Sequence, residues 1–98
     1  EKMEKEMLVY VDLKEGKFEK FMGWMQSDEG MSVRKSAAYP EKTIASVTPD
    51  KGGIMFKVHV HNVDAMKQLV SGTHPVAKPI YDECVNSMTA WDLTKVDM

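Results

Sequence analysis

What the chain lacks narrows its class more than what it has. Cysteine occurs once, as Cys84. No internal disulfide can form, a paired-cysteine soft-metal site is excluded, and the residue reads as a small buried hydrophobe. No apolar run approaches the roughly 18 residues of a membrane helix. Neither sign of charge dominates: the formal net charge is -2 with acids and bases interleaved. That balance argues against nucleic acid, which needs a concentrated positive surface. There is no Gly-x-Gly-x-x-Gly and no phosphate-binding loop, no internal repeat and no low-complexity tract. The opening residues Glu1-Lys2-Met3-Glu4-Lys5-Glu6 are charged and lack the apolar core of a secretory leader. Taken as they stand, they lead to the expectation of a cytoplasmic protein with no membrane partner. With 98 residues, one small core is affordable and much of any sheet stays uncovered unless a partner covers it. Methionine, in contrast, is abundant at nine, and we read it as flexible packing material.

Residues 1–6 are read as a flexible lead-in and 7–96 as a single domain. Met7–Leu13 alternates as a first strand, with Met7, Val9, Val11 and Leu13 on one face and Leu8, Tyr10 and Asp12 on the other. From Phe18 the period changes to that of a helix: Phe18, Phe21, Met22 and Met25 form a stripe flanked by Trp24. Ser27 and Asp28 offer a cap for a second helical stretch, which Gly30 is expected to break. Met31–Ala38 then reads as helix with Arg34 and Lys35 on a solvated face, ended by Tyr39-Pro40.

Lys42–Thr48 is a β-branched edge strand. Pro49-Asp50-Lys51-Gly52-Gly53 is a hairpin signal. The third strand follows, with Ile54, Phe56, Val58 and Val60 facing a core and Met55, Lys57, His59 and His61 facing away. Asn62 caps a helix striped by Val63, Met66, Leu69 and Val70. Pro75 is expected to start a fresh helical segment that Pro79 interrupts, with Ile80–Val85 as a last turn. The fourth strand runs on from Val85 or Asn86 to Leu93. Its outer face is either Val85/Ser87/Thr89/Trp91/Leu93 or Asn86/Met88/Ala90/Asp92, with Trp91 and Leu93 favouring the first.

Strand, helix, strand, strand, helix, strand is the order of a ferredoxin-like α+β domain: a four-stranded antiparallel sheet with helices on one face. Right-handed crossovers place the first and third strands in the centre. The outer face then collects Leu8, Tyr10, Met55 and Trp91, an apolar patch of the kind that marks an interface. In this layout, with its broken first helix region from Phe18 to Ala38 and its interrupted second one, residues 7–96 resemble the dimeric α/β-barrel superfamily. The resemblance implies a homodimer in which two sheets oppose to form a barrel. It also implies an activity range that includes cofactor-free monooxygenases of the antibiotic-biosynthesis type, haem-degrading enzymes and isomerases. Fold alone does not choose among these.

His59-x-His61 is the sharpest constellation, because strand spacing puts both imidazoles on one face about 7 Å apart. Such a pair suits two ligands of a metal site, a general base, or hydrogen bonding at a strand end. Two ligands make an incomplete site, so neither a metal nor a cofactor is expected. The candidate catalytic residues are His59 as base with His61 or Asp12 orienting it. Tyr10, Met55, Trp24 and His74 are the candidate ligand contacts. His74 sits at the break in the second helix region, where the haem-degrading branch carries a site histidine, but the asparagine of that branch has no counterpart in the first strand. Two functions follow as expectations. One is proton abstraction from a small aromatic or carbonyl compound, leading to oxygenation or isomerisation. The other is a non-catalytic dimerisation or small-ligand-binding module. An RNA-recognition domain is excluded because Phe56 shares the core face and the charge is negative.

Overall fold

The computed structural model describes residues 5–98. β1 spans Lys5–Leu13, α1 Phe18–Met25, α2 Asp28–Ala37, β2 Ile44–Val47, β3 Gly53–Val60, α3 Val63–Ser71, α4 Lys78–Cys84 and β4 Val85–Asp92. A short 3-10 turn, Pro40–Lys42, joins α2 to β2. Lys5 and Glu6, assigned from sequence to the lead-in, are strand residues. The rest of that lead-in, positions 1–4, lies outside the described residues. The strands form one antiparallel sheet in the order β2-β3-β1-β4. This is the expected ferredoxin-like topology, with β1 and β3 central.

Alternation in β1 and β3 decides which face is covered. Met7, Val9, Val11, Leu13, Ile54, Phe56, Val58 and Val60 are all buried. They meet Phe21 and Met25 of α1, Val33 and Ala37 of α2, Met66 and Leu69 of α3, and Cys84 at the end of α4. Side chains two apart along a strand share a face, so eight apolar residues at this spacing present one continuous surface to the helices. No polar side chain is buried among the described residues.

Three local readings are corrected. Gly30 does not break the path; it lies inside α2, and its amide donates to the capping Ser27 hydroxyl at 3.0 Å. A Cβ there would lie 1.9 Å from the Trp24 carbonyl oxygen, so glycine is what allows α2 to start so close to the end of α1. Pro79, not Pro75, opens the last helix: it sits in the first turn of α4, where a missing N–H costs nothing. β2 is shorter than the expected 42–48, because Pro40 starts a 3-10 turn that takes in Lys42.

The register of β4 settles the alternative left open by the sequence, with a twist. Trp91 pairs with Leu8, Thr89 with Tyr10 and Ser87 with Asp12. These three side chains therefore join the outer face. A bulge between Asp12 and Leu13 then sets Val85 opposite Leu13, which carries Val85 over to pack on the core. The Asn86 side-chain amide donates to the Leu13 carbonyl across the irregularity at 3.3 Å.

Candidate functional site

The outer sheet face is organised in rows. Glu6 lies beside His59; Ile44, Lys57, Leu8 and Trp91 make the next row; Ser46, Met55, Tyr10 and Thr89 the one after; Asp12, Gly53 and Ser87 close the end. Ile44 is 64% exposed and Trp91 49%, both far beyond what an apolar side chain seeks in water. The charges are paired within the face. His59 Nε2 is 3.2 Å from Glu6 Oε2, and Lys57 Nζ is 3.6 Å from the same oxygen. The Tyr10 ring lies over Gly53: a Cβ on that residue would meet the Tyr10 hydroxyl at 2.3 Å.

The residues proposed from sequence do not converge. Asp12 is six residues along β1 from Glu6, the neighbour of His59, which is about 20 Å of strand; it cannot orient that imidazole. His61 lies beyond the end of β3 and turns to α2. Its Nε2 is 2.8 Å from the Lys35 carbonyl oxygen, so that nitrogen carries the proton, because a carbonyl only accepts. Its ring rests on Tyr39 at 4.8 Å. The expected His59/His61 pair is thus split, one imidazole on the outer face and one stapling α2 to the sheet. Tyr10 and Met55 belong to the outer face. His74 shapes the α3–α4 turn, with Nδ1 accepting from the Val76 amide at 3.2 Å. Among the described residues no three His, Cys, Asp or Glu side chains cluster as a metal site would require.

Trp24 does line a cavity, on the opposite side of the sheet. Between the helices and the core face lies a space of about 70 Å³. Its floor is Val9, Val11, Phe56 and Val58; its walls include Phe21, Trp24, Leu69 and Tyr81. Arg34, Thr43 and the methionines Met25, Met66 and Met88 also border it. The volume is about half that of an apolar cavity known to admit benzene, roughly 150 Å³. Three unbranched, rotatable thioethers in the wall supply the adaptability a larger guest needs. Val70, Tyr81 and Met88 also border a wider surface groove between the α3–α4 turn and β4, so Tyr81 stands where cavity and groove meet.

The polar groups around the cavity are few. Trp24 is held by its indole N–H, which donates to Glu29 Oε1 at 2.8 Å, and its ring meets the Tyr81 ring edge-on at 6.3 Å. Phe21 touches Tyr81 from the other side at 6.2 Å. Burial pushes the Tyr81 phenol up to about 12, so it is neutral and a donor at any ordinary pH. The Thr43 hydroxyl donates to the Tyr39 carbonyl at 3.2 Å. Arg34 donates from Nη1 to the Met25 carbonyl at 3.1 Å and contacts Met31 Sδ at 3.0 Å; burial lowers its guanidinium from the ordinary value. Arg34 was assigned to a solvated face and Tyr81 was not singled out. The available signal was compositional: Arg34 is the one arginine in a chain with thirteen basic residues.

No protein-family model matches the sequence, and no curated protein matches it. Solved structures do share its fold. One is from Bacteroides thetaiotaomicron, provisionally assigned as an antibiotic biosynthesis monooxygenase, with 12% identity over 96% of this chain and 90% of that one at a TM-score of 0.63. Another is an uncharacterised NIPSNAP domain protein from Burkholderia xenovorans, with 14% identity over 94% of each chain and a TM-score of 0.65. A third is a dimeric ferredoxin-like protein from an uncultured marine organism, with 8% identity over 100% of this chain and 93% of that one and a TM-score of 0.57. At these identities the likeness is one of fold, and it agrees with the resemblance drawn from the sequence.

Proposed function

We propose that the protein is a homodimeric small-molecule-binding protein, which holds a small aromatic or carbonyl compound in the cavity beneath its helices and pairs with a second copy through its outer sheet face. The observation that carries the binding reading is the cavity itself: apolar walls, the Phe21 and Trp24 rings each packed on the Tyr81 ring, and few polar groups, chiefly Arg34, Thr43 and Tyr81. Concave, mostly apolar sites with a few placed polar groups are the usual form of a ligand site.

The dimer reading is supported by the outer face. Strands of nine, four, eight and eight residues, at about 3.3 Å per residue and about 4.8 Å apart, give a projection on the order of 450 Å². A projection of that size is of the same order as the roughly 800 Å² per partner of a standard interface. Because Glu6 pairs with Lys57 and touches His59 within one face, an isologous pairing brings no block of like charge against itself. The marine ferredoxin-like neighbour is described as dimeric.

A second reading, cofactor-free monooxygenase or isomerase, follows the resemblance drawn from the sequence, and its monooxygenase part is favoured by the name of the Bacteroides neighbour. Among the described residues no histidine or carboxylate borders the cavity, so the reaction would rest on the acidity of the bound compound itself, with Arg34 stabilising its oxyanion and Tyr81 donating a hydrogen bond. His59, His61 and Asp12 have no part in that chemistry.

Toluene titrated into labelled protein tests the binding reading by amide chemical shifts. Perturbations should centre on Val9, Trp24, Phe56 and Tyr81. No binding, or shifts confined to the outer face around Tyr10 and Met55, would remove the cavity from the function. Sedimentation of the unaltered chain at micromolar concentration should give a dimer and Trp91→Lys a monomer; a monomeric unaltered chain refutes the paired sheets.

A further inference from the structure

We propose that the cavity selects an organic anion, a carboxylate or enolate on a small planar or apolar body, with Arg34 binding the negative oxygen and the Tyr81 hydroxyl donating to it. The proposal rests on the cavity being a ligand site and adds the charge of the ligand.

The first observation is an uncompensated cation. Lys5, Lys17, Lys20, Lys51, Lys57 and Lys78 are each paired with a carboxylate, although all are substantially exposed and gain little by it. Arg34, half-buried against an apolar cavity, has no such partner. Its contacts are a carbonyl and a thioether, and among the described residues no carboxylate is paired with it. Withdrawing a charge from water without an opposite charge is costly. A fold that spends surface pairs freely and leaves its one desolvated guanidinium unpaired has the electrostatics of a site whose counter-charge arrives with the ligand. Guanidinium is also the group suited to this task, planar and able to hold both oxygens of a carboxylate, which an ammonium is not.

The second observation is the direction of the hydrogen-bonding capacity. Among the described residues the Tyr81 hydroxyl has no hydrogen-bond partner; the oxygen itself is not fully enclosed, while burial of the phenol around it keeps it protonated. The Thr43 hydrogen is already committed to Tyr39, and the indole N–H of Trp24 to Glu29. The donors left over are on Arg34 and Tyr81. Among the described residues no histidine, aspartate or glutamate borders the cavity, so none of them repels an anion or competes for the guanidinium there. A neutral ligand that must itself donate finds few acceptors, whereas an anion finds donors only.

Benzoate and benzamide, which share shape and differ in charge, are the probes, with toluene as the uncharged control. By titration calorimetry or amide shifts, benzoate should bind at least tenfold more tightly than benzamide. Arg34→Gln should abolish that preference and still bind toluene, which also reports that the variant is folded. Arg34→Lys should keep part of the preference, and Tyr81→Phe should weaken benzoate several-fold while leaving toluene unaffected. Equal binding of benzoate and benzamide, or a preference that survives Arg34→Gln, overturns the anion proposal and leaves the cavity reading standing. Failure of toluene, benzoate and benzamide alike overturns both.

Discussion

The two faces of the sheet are built from the same strands and obey different rules. On β3, Phe56 is 6% exposed and its neighbour Met55 is 38% exposed; a single step of the backbone separates core from surface. The helix-side face is apolar along Met7–Leu13 and Ile54–Val60, with Lys5 and Asp92 paired at its exposed end. The outer face mixes Leu8, Tyr10, Met55 and Trp91 with Glu6, Lys57 and His59 and pairs those charges in place. The contrast teaches where each kind of information lies. Folding of the chain is decided on the first face, the proposed pairing with a second copy belongs to the second, and Arg34 and Tyr81 stand at the edge of the first, where sequence pattern placed Arg34 on a solvated face and did not single out Tyr81.

Substitution of adjacent residues is the bluntest way to break this contrast. Phe56→Ala should lower unfolding free energy by about 3–5 kcal/mol, since it removes a buried ring and leaves a cavity beside the one already present. Met55→Ala should cost under about 1 kcal/mol when urea unfolding is followed at concentrations dilute enough to hold the chain monomeric. Its effect should appear instead as a weaker dimer in sedimentation. Equal losses from the two substitutions would mean that the outer face is part of the monomer's core, and the division drawn between the faces would fail.

A second test is confined to the helix side. The Tyr81 phenol is held near 12 by burial, against about 10 in an unfolded chain. Because the folded value is the higher, the unfolded state loses its proton first. Stability is therefore intact below pH 10 and declines as pH rises toward 12. The full contribution is about 2–3 kcal/mol. Lysines titrate in the same range, so the measurable quantity is the difference between the unaltered chain and Tyr81→Phe in urea midpoints at pH 9, 10.5 and 11.5. That difference should grow steadily with pH. A constant difference would show that Tyr81 ionises as freely as an exposed tyrosine and does not border an apolar space.

The fold was legible because period is a strong signal. Eight alternating apolar residues in β1 and β3 and the helical stripes of Phe21/Met25 and Met66/Leu69 define the layers without ambiguity. Asn62 capping α3 was legible for the same local reason: its side chain accepts from the Ala65 amide at 3.1 Å. The site was far less so. Arg34 sits two positions from Ser36 on a helix with a weak apolar stripe, and whether a long basic side chain lies in solvent or folds back over Met25 depends on how α1 and α2 meet. That meeting depends in turn on Gly30, which sequence pattern marks as a break rather than a contact. The bulge at Asn86 was equally invisible, since a one-residue shift leaves the alternation of Ser87, Thr89 and Trp91 intact and redirects only Val85.

The histidines supply the finest comparison, because alternation alone assigned both to one face. His61 falls just past the last β3 residue, where strand geometry no longer dictates direction. There it bridges the sheet to α2 through the Lys35 carbonyl and the Tyr39 ring. His59 remains on the outer face beside Glu6. His61→Phe preserves the stacking and deletes one hydrogen bond, so it should cost about 1 kcal/mol in urea unfolding. Amide exchange should quicken locally at His61 and Asn62, whose amides donate to the Ala37 carbonyl, while the dimer is unaffected. His59→Phe should do the reverse: small in the monomer, visible in assembly, and without effect on toluene or benzoate binding. If His59→Phe instead altered binding of either probe, the outer face would have to communicate with the cavity through the sheet, and function would not be confined to the helix side.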